Sequence, residues 1–373
     1  MSKKLKGRHK WQMLYTKIEV ENLPGELIDD FVLIEDEKEA SQIYNKGYHG
    51  TPQSKGALKL SLIEAAYLFE AGRMEIKRKN RRMSLVQMFR YANKLHPDFE
   101  IKYIVYRDLR MRGYVVKPDI APAHFRVFPR GGQPKAGPSK FWVYASSERG
   151  MFDLEDVVAN IKRVLRARKK LLIGIVDEEG DLTYYQVKLV RPKGKIIAKS
   201  YELKAEALFF GDRVMVLDSE EADILHETEF FGKFIGEDLQ LSLLETAYLM
   251  EMDALMLRDA KTGRKINLDQ FKRKAKRIQP DIETRLGVYK DLKSKGLIVK
   301  TGFKYGTHFR VYKGDPDDEH ALYLVHAVSS TYQSTWPEIS RAVRLAHGVK
   351  KELLLGRMLE KKAEYIRLKR VRP

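Results

Sequence analysis

Apolar and polar positions along the chain predict one series of elements, and the series is written twice. In LKLSLIEAAYLFE (58–70) a Ser stands three residues before a Glu, Ser61 and Glu64. This spacing predicts a capping box and a helix that turns Leu62, Ala65, Ala66 and Phe69 inward. Ser84 predicts the start of a second helix with Leu85, Met88, Ala92 and Leu95 on one face. HPD (96–98) ends it, because Pro continues a helix poorly. A third helix follows in YRDLRMRG, with Gly113 where a C-cap belongs. The β-branched and aromatic runs VVK and HFRVF then read as strands. A helix from Leu154 to Arg168 and the hairpin LLIGIV, DEEGD, LTYYQVKLV close the series.

The same order returns downstream. LQLSLLETAYLME (239–251) repeats 58–70, VYKDLKSKGLIVK (288–300) repeats VYRDLRMRGYVVK (105–117), and HFRVY (308–312) repeats HFRVF (124–128). Ser242 with Glu245, Asn267 ahead of Leu268, Phe271, Ala275 and Ile278, and the break QPD (279–281) match the earlier signals. The offsets of 181, 183 and 184 residues are nearly equal, which chance matches would not produce. The chain is therefore a tandem duplication of α+β class. Each repeat is expected to hold an N-terminal α/β domain and a C-terminal mixed sheet packed with helices. The expected bounds are 1–98 and 99–193 for the first repeat, 194–281 and 282–373 for the second, with RPKGKIIAKSYELK (191–204) as the joint.

Charge narrows the partner. Lys and Arg number 70 against 51 Asp and Glu, a formal charge of +19 spread along the chain, which favours a polyanion such as nucleic acid. There is no cysteine, so disulfides, thiolate zinc sites and cysteine nucleophiles are excluded. The basic start MSKKLKGRHKW has no apolar core behind it, and no run approaches the roughly 18 apolar residues of a membrane span. A soluble, cytoplasmic protein is the expectation.

Candidate chemistry lies in the second repeat. Tyr312 ends HFRVY, His320 follows the acidic run DPDDE (315–319), and Lys351 follows the helix RAVRLAHGVK. A phenol, an imidazole and an ammonium suit general acid/base work on a phosphodiester. The first repeat has Phe128 and Pro138 at the first two positions and keeps only Lys170 at the third. One working site and one retired copy is the simplest account. His308 has a twin in His124, which suggests a structural role.

GFKYGTHFRVY, the acidic loop leading to HALYLV, and RAVRLAHGVKK resemble the catalytic domain of archaeal tRNA-splicing endonucleases, and the duplicated layout resembles their two-repeat, homodimeric branch. The resemblance implies that Tyr312 is the general base, His320 the general acid and Lys351 the cation that stabilises the transition state. It implies that Arg344 and Arg370 pinch a flipped-out bulge base on the opposite protomer. It implies that Asp315, Asp317, Asp318 and Glu319 form a loop docking into a basic groove of the retired repeat across the dimer. The substrate would be precursor tRNA with a bulge-helix-bulge junction, cut without metal or cofactor to a 2′,3′-cyclic phosphate and a 5′-hydroxyl. A phenol of ordinary pKa near 10 is a poor base at neutral pH, so a cation must assist it, and Lys351 is the expected source.

Other readings of the residues stay open. Arg344 read alone is equally a phosphate contact or a solvated helix residue. Arg370 shares a strand face with Ile366 and Leu368 and is expected to be packed. An RNA-binding assembly protein without chemistry would show the same basic surface. A metal-dependent DNA nuclease would need carboxylates converging from several elements, whereas the acids of 315–319 are bunched in one loop.

Overall fold

The computed structural model describes residues 24–118, 123–134, 137–196, 204–360 and 362–373. The basic N-terminal run and residues 197–203 of the joint between repeats lie outside these residues. The chain forms two compact units, one of residues 1–147 with 174–182 and 373, the other of 148–173 with 183–372.

In the first unit, strands β1 (Pro24–Ile28) and β2 (Phe31–Ile34) form a hairpin, followed by α1 (Glu37–Asn45), β3 (Leu58–Ser61), α2 (Leu62–Glu70), β4 (Glu75–Arg78) and α3 (Leu85–Leu95). β1 runs antiparallel to β2 and parallel to β4, so the sheet is mixed. Both expected helix starts are full capping boxes, Ser61 with Glu64 and Ser84 with Gln87. Leu62, Ala65 and Ala66 are buried as the spacing requires, while Phe69 is half-buried. Leu95 departs from expectation at 45 % exposed. It lies in the last turn before the Pro break, past the elements that cover the middle of α3. Helix α4 (Phe99–Met111) leads into β5 (Val116–Pro118), β6 (Phe125–Val127) and β7 (Phe141–Ser147), which pair antiparallel in that order.

The second unit takes up β8 (Met151–Asp153), α5 (Leu154–Arg166), the start of β9 (Lys170–Val176) and nearly all of β10 (Leu182–Val190) from the first repeat. The division between units thus differs from the boundary between repeats. The reason is pairing across the duplication. β8 pairs with β18 (Gln333–Thr335), and β10 pairs antiparallel with β20 (Lys362–Val371) from Tyr184 opposite Val371 to Val190 opposite Tyr365. Phe152 also packs edge-on against Trp336, ring centroids 5.3 Å apart.

The second repeat rebuilds the N-terminal domain. It runs β11 (Ala205–Phe209), β12 (Val214–Val216), α6 (Ser219–Glu229), β13 (Asp238–Leu241), α7 (Leu243–Glu251), β14 (Leu255–Asp259) and α8 (Leu268–Ile278). Capping boxes again open α7 and α8, at Ser242 and Asn267. β11 is parallel to β14, as β1 is to β4. Phe271 and Ala275 are buried, whereas Ile278 is 45 % exposed and repeats the departure seen at Leu95.

The catalytic-like half follows as α9 (Ile282–Ser294), β15 (Ile298–Thr301), β16 (Phe309–Tyr312), β17 (Tyr323–Val328), then β18, α10 (Trp336–Gly348), β19 (Glu352–Leu359) and β20. Gly296 ends α9 at φ +74°, where a side chain would be strained, and Leu297 N donates to Leu292 O to close the turn. In this unit the strand order is β15-β16-β17-β19-β20-β10, with β17 parallel to β19 and the other neighbours antiparallel. Its middle is covered on both faces, so Leu354, Tyr365 and Ile366 are all within 1 % of full burial.

Candidate active site

Strand register brings the segments that carry Tyr312, His320 and Lys351 to one end of the sheet. Tyr312 closes β16. β17 runs the opposite way, with Tyr323 opposite Val311, and Leu322 N donates to Val311 O at 2.9 Å. The entrance to β17, and His320 three residues earlier, therefore meets the exit of β16. β19 is parallel to β17, with Glu352 opposite Tyr323, and Glu352 N donates to Leu322 O at 3.1 Å. Lys351 thus enters β19 at the same end. Neighbouring strands are about 4.8 Å apart, so the backbones at 312 and 351 are separated by roughly 10 Å. β20 then runs back, Leu368 opposite Leu353, and this register carries Arg370 to the level of Lys351.

Tyr312 is 6 % exposed and packs against Ile298 and Ala321, with Phe230 at the margin. Burial pushes its phenol above the ordinary value; the Arg310 guanidinium opposes this, while Tyr305 and Asp317 add to it. The Arg310 guanidinium carbon is 5.9 Å from the Tyr312 ring centre. Arg310 is thus the cation beside the phenol. The Lys351 ammonium instead lies 5.8 Å from the ring centre of Tyr305 and donates to Val349 O at 3.4 Å, while its backbone N donates to Ala346 O at 2.8 Å. Tyr305 stands on the turn Phe303–Tyr305 that links β15 to β16 and is felt by both groups. His320 is exposed.

Tyr305 and Arg310 were not among the residues singled out from sequence. Tyr305 had a signal: the first repeat reads PDIAPA (118–123) before its HFRVF, with no tyrosine. Arg310 had none, because Arg126 stands at its place in the first repeat and marks it as scaffold.

The two arginines are exposed. Arg344 Nε and Nη2 donate to Ser340 Oγ at 3.2 and 3.1 Å, and the same oxygen accepts from Tyr185 Oη at 2.9 Å. Tyr185 is the cross-strand partner of Arg370, so both project from the same face, the one under α10. Arg344 and Arg370 therefore belong to one surface. The expectation that Arg370 is packed fails: Ile366 and Leu368 are buried, but the strand runs out one residue later, at Val371, beyond the covered part of the sheet.

In the acidic loop, Asp315 Oδ1 accepts from Asp317 N at 2.8 Å and its carbonyl from Glu319 N at 2.8 Å. Glu319 holds Lys195 at 2.6 Å. Asp317 and Asp318 are exposed. The histidine twins do the same structural work: His308 Nδ1 accepts from Ala327 N at 3.1 Å, and His124 Nδ1 from Ala145 N at 2.9 Å. Burial lowers both imidazoles to about 4. In the first repeat, Phe128 is buried just after β6, Pro138 is exposed and Lys170 opens β9, also exposed.

Two domain models of one known family match the chain, each of them twice. The tRNA intron endonuclease catalytic C-terminal domain matches residues 99–184 and again 282–365, and the N-terminal domain of that family matches 23–89 and 205–272. The chain belongs to the tRNA intron endonuclease family. A tRNA-splicing endonuclease of Methanococcoides burtonii is 39% identical over 353 residues, covering 93% of this chain and 99% of that protein. Another from Methanosarcina acetivorans is 40% identical over 340 residues, covering 90% and 96%. One from Halobacterium salinarum is 30% identical over 330 residues, covering 83% and 88%. As a tRNA intron endonuclease, this chain carries the catalytic domain twice, and Tyr312, His320 and Lys351 all fall in the second match. No helix among the described residues is long and apolar enough to cross a membrane.

Proposed function

We propose that the chain excises introns from precursor tRNA by cutting bulge-helix-bulge junctions without a metal ion, in the cytoplasm and as a homodimer, with its four domains bounded near residues 98, 193 and 281. The observation that carries this reading is the arrival of residues 312, 320 and 351 at one end of three adjacent strands in the repeat that alone holds all three groups. Tyr312 takes the proton from a ribose 2′-hydroxyl, and the freed oxygen bonds to the adjacent phosphorus. The bond from phosphorus to the 5′-oxygen breaks, and His320 protonates the departing oxygen. Lys351 meets the negative charge that builds on the phosphorane oxygens. The products are a 2′,3′-cyclic phosphate and a 5′-hydroxyl. Burial keeps the phenol protonated at neutral pH, so deprotonation depends on nearby cations, of which Arg310 is the one beside the ring.

Arg344 and Arg370, on one exposed surface beside this sheet end, suit the stacking of an unpaired base between guanidinium planes, a mode that favours bulges over duplex. On this reading they serve the site of the opposite protomer, and the loop of Asp315, Asp317, Asp318 and Glu319 engages a basic groove there. Changing Asp317 and Asp318 together to Lys will then weaken the dimer, read by sedimentation. A dimer of unchanged affinity and full activity removes that role from the loop.

His320→Ala separates this enzyme from an RNA-binding assembly protein of the same fold. The side chain is exposed, so folding is not at stake. Single-turnover cleavage is expected to fall by about 10² to 10⁴ while affinity for the RNA is kept. Wild-type cleavage by the variant contradicts the assignment.

A further inference from the structure

A cavity of about 710 Å³ opens beside Tyr312, between α7 and strands β15 and β16, within the roughly 300–1,000 Å³ of small-ligand sites. Four cations line it, Lys233, Arg285, Lys300 and Arg310, against two carboxylates, Glu245 and Asp317. Three of these six are already engaged. Glu245 accepts from Gly232 N at 3.0 Å and Ser242 N at 2.9 Å. Lys300 donates to the carbonyls of Phe230 and Gly232. Arg285 holds Asp281 at 2.7 Å. Lys233 is exposed, and Arg310 has a buried Nε without a hydrogen-bond partner among the described residues. An unpaired donor on a buried guanidinium is costly, and an anionic oxygen is the acceptor that relieves it. Phe234 also lines the cavity, half-buried and edge-on to His226 at 5.0 Å.

The first repeat supplies the control. Its matching cavity holds about 310 Å³ and is lined by Ser61, His96, Pro118 and Phe125, with Lys102 at the place of Arg285. The counterpart of Arg310 there, Arg126, is exposed, and neither it nor Phe128 reaches the lining. The larger cavity with an unsatisfied guanidinium accompanies the repeat that holds Tyr312.

We propose that this cavity receives the unpaired ribonucleotide on the 5′ side of the cut bond, with Arg310 and Lys233 on its flanking phosphates and Phe234 against its base. This rests on the cleavage reading above. The side is set by chemistry: the attacking 2′-hydroxyl belongs to the 5′ nucleotide and faces Tyr312, which lines the cavity, whereas the leaving oxygen belongs to the 3′ nucleotide and faces His320, which does not. A base free of pairing enters without the cost of opening a duplex.

The test compares single-turnover cleavage of a bulge-helix-bulge RNA carrying either a natural or an abasic residue 5′ of the cut. Loss of one stacked base is expected to slow the wild-type protein about tenfold to a hundredfold. Phe234→Ala is expected to slow the natural RNA similarly, and the abasic change then adds little, because both remove one contact. Arg310→Gln is expected to weaken binding of the uncleavable 2′-deoxy RNA about tenfold, with partial recovery in Arg310→Lys. Fully additive losses, or pocket variants indistinguishable from a cleaving wild type, overturn the cavity assignment alone. A wild-type protein that leaves the natural RNA intact overturns the cleavage reading as well.

Discussion

Tyr312→Phe is expected to lower the single-turnover cleavage rate by about 10² to 10⁴, the effect of removing a general base, with affinity for the RNA unchanged. The molecule already contains the control for folding. Phe128 occupies the corresponding place in the first repeat, and both residues are 6 % exposed. A ring without the hydroxyl therefore fits this strand end, and what the substitution removes is chemistry. Wild-type rates in the variant would take the base away from Tyr312. Retained affinity matters equally, since a loss of both would point to a rearranged strand end.

Lys293→Met is expected to cost about 3–5 kcal/mol of stability, measured as a shift in the urea unfolding curve. The Lys293 side chain is 1 % exposed and its ammonium lies 2.5 Å from a Glu229 oxygen, itself on a side chain 3 % exposed. The same nitrogen sits 4.5 Å from the ring centre of Phe231. Removing the lysine leaves a buried carboxylate without its cation, and that penalty exceeds what the pair contributes when whole. Burial lowers the Lys293 pKa even with Glu229 beside it, which shows how dry the site is. The double variant Lys293→Met with Glu229→Gln should regain much of the loss, because no charge is then stranded. Equal losses in the single and double variants would mean that packing around the lysine stem, not the charge, is what matters. The first repeat solves the same place with Arg110, which donates to Gly47 O at 2.9 Å and meets His49.

What could be read from the sequence was local. A capping box needs only a Ser or Asn and a residue three positions on, so the starts of α2, α3, α7 and α8 were legible, as were the glycine turns after α4 and α9. Comparing the repeats isolated Tyr312 and His320 because Phe128 and Pro138 lack their chemistry. What escaped was set by partners distant in sequence. The pairing of β10 with β20 joins residues about 180 positions apart, and no periodicity announces it. Leu95, Ile278 and Arg370 look packed in their own segments and are exposed because the neighbouring elements stop short of them. Arg310 was hidden by its match to Arg126, although Arg310 is half-buried with a buried Nε and Arg126 is exposed.

The central proposal is that a phenol, an imidazole and an ammonium from one repeat act together on a ribose-borne nucleophile. The most direct measurement is end-group analysis after incubating the protein with a bulge-helix-bulge RNA in EDTA, alongside the same RNA with a single 2′-deoxy residue 5′ of the cut. The account predicts a 2′,3′-cyclic phosphate and a 5′-hydroxyl from the first RNA and an intact second. Cleavage of the deoxy RNA, a 5′-phosphate on the product, or a reaction that stops in EDTA would contradict it.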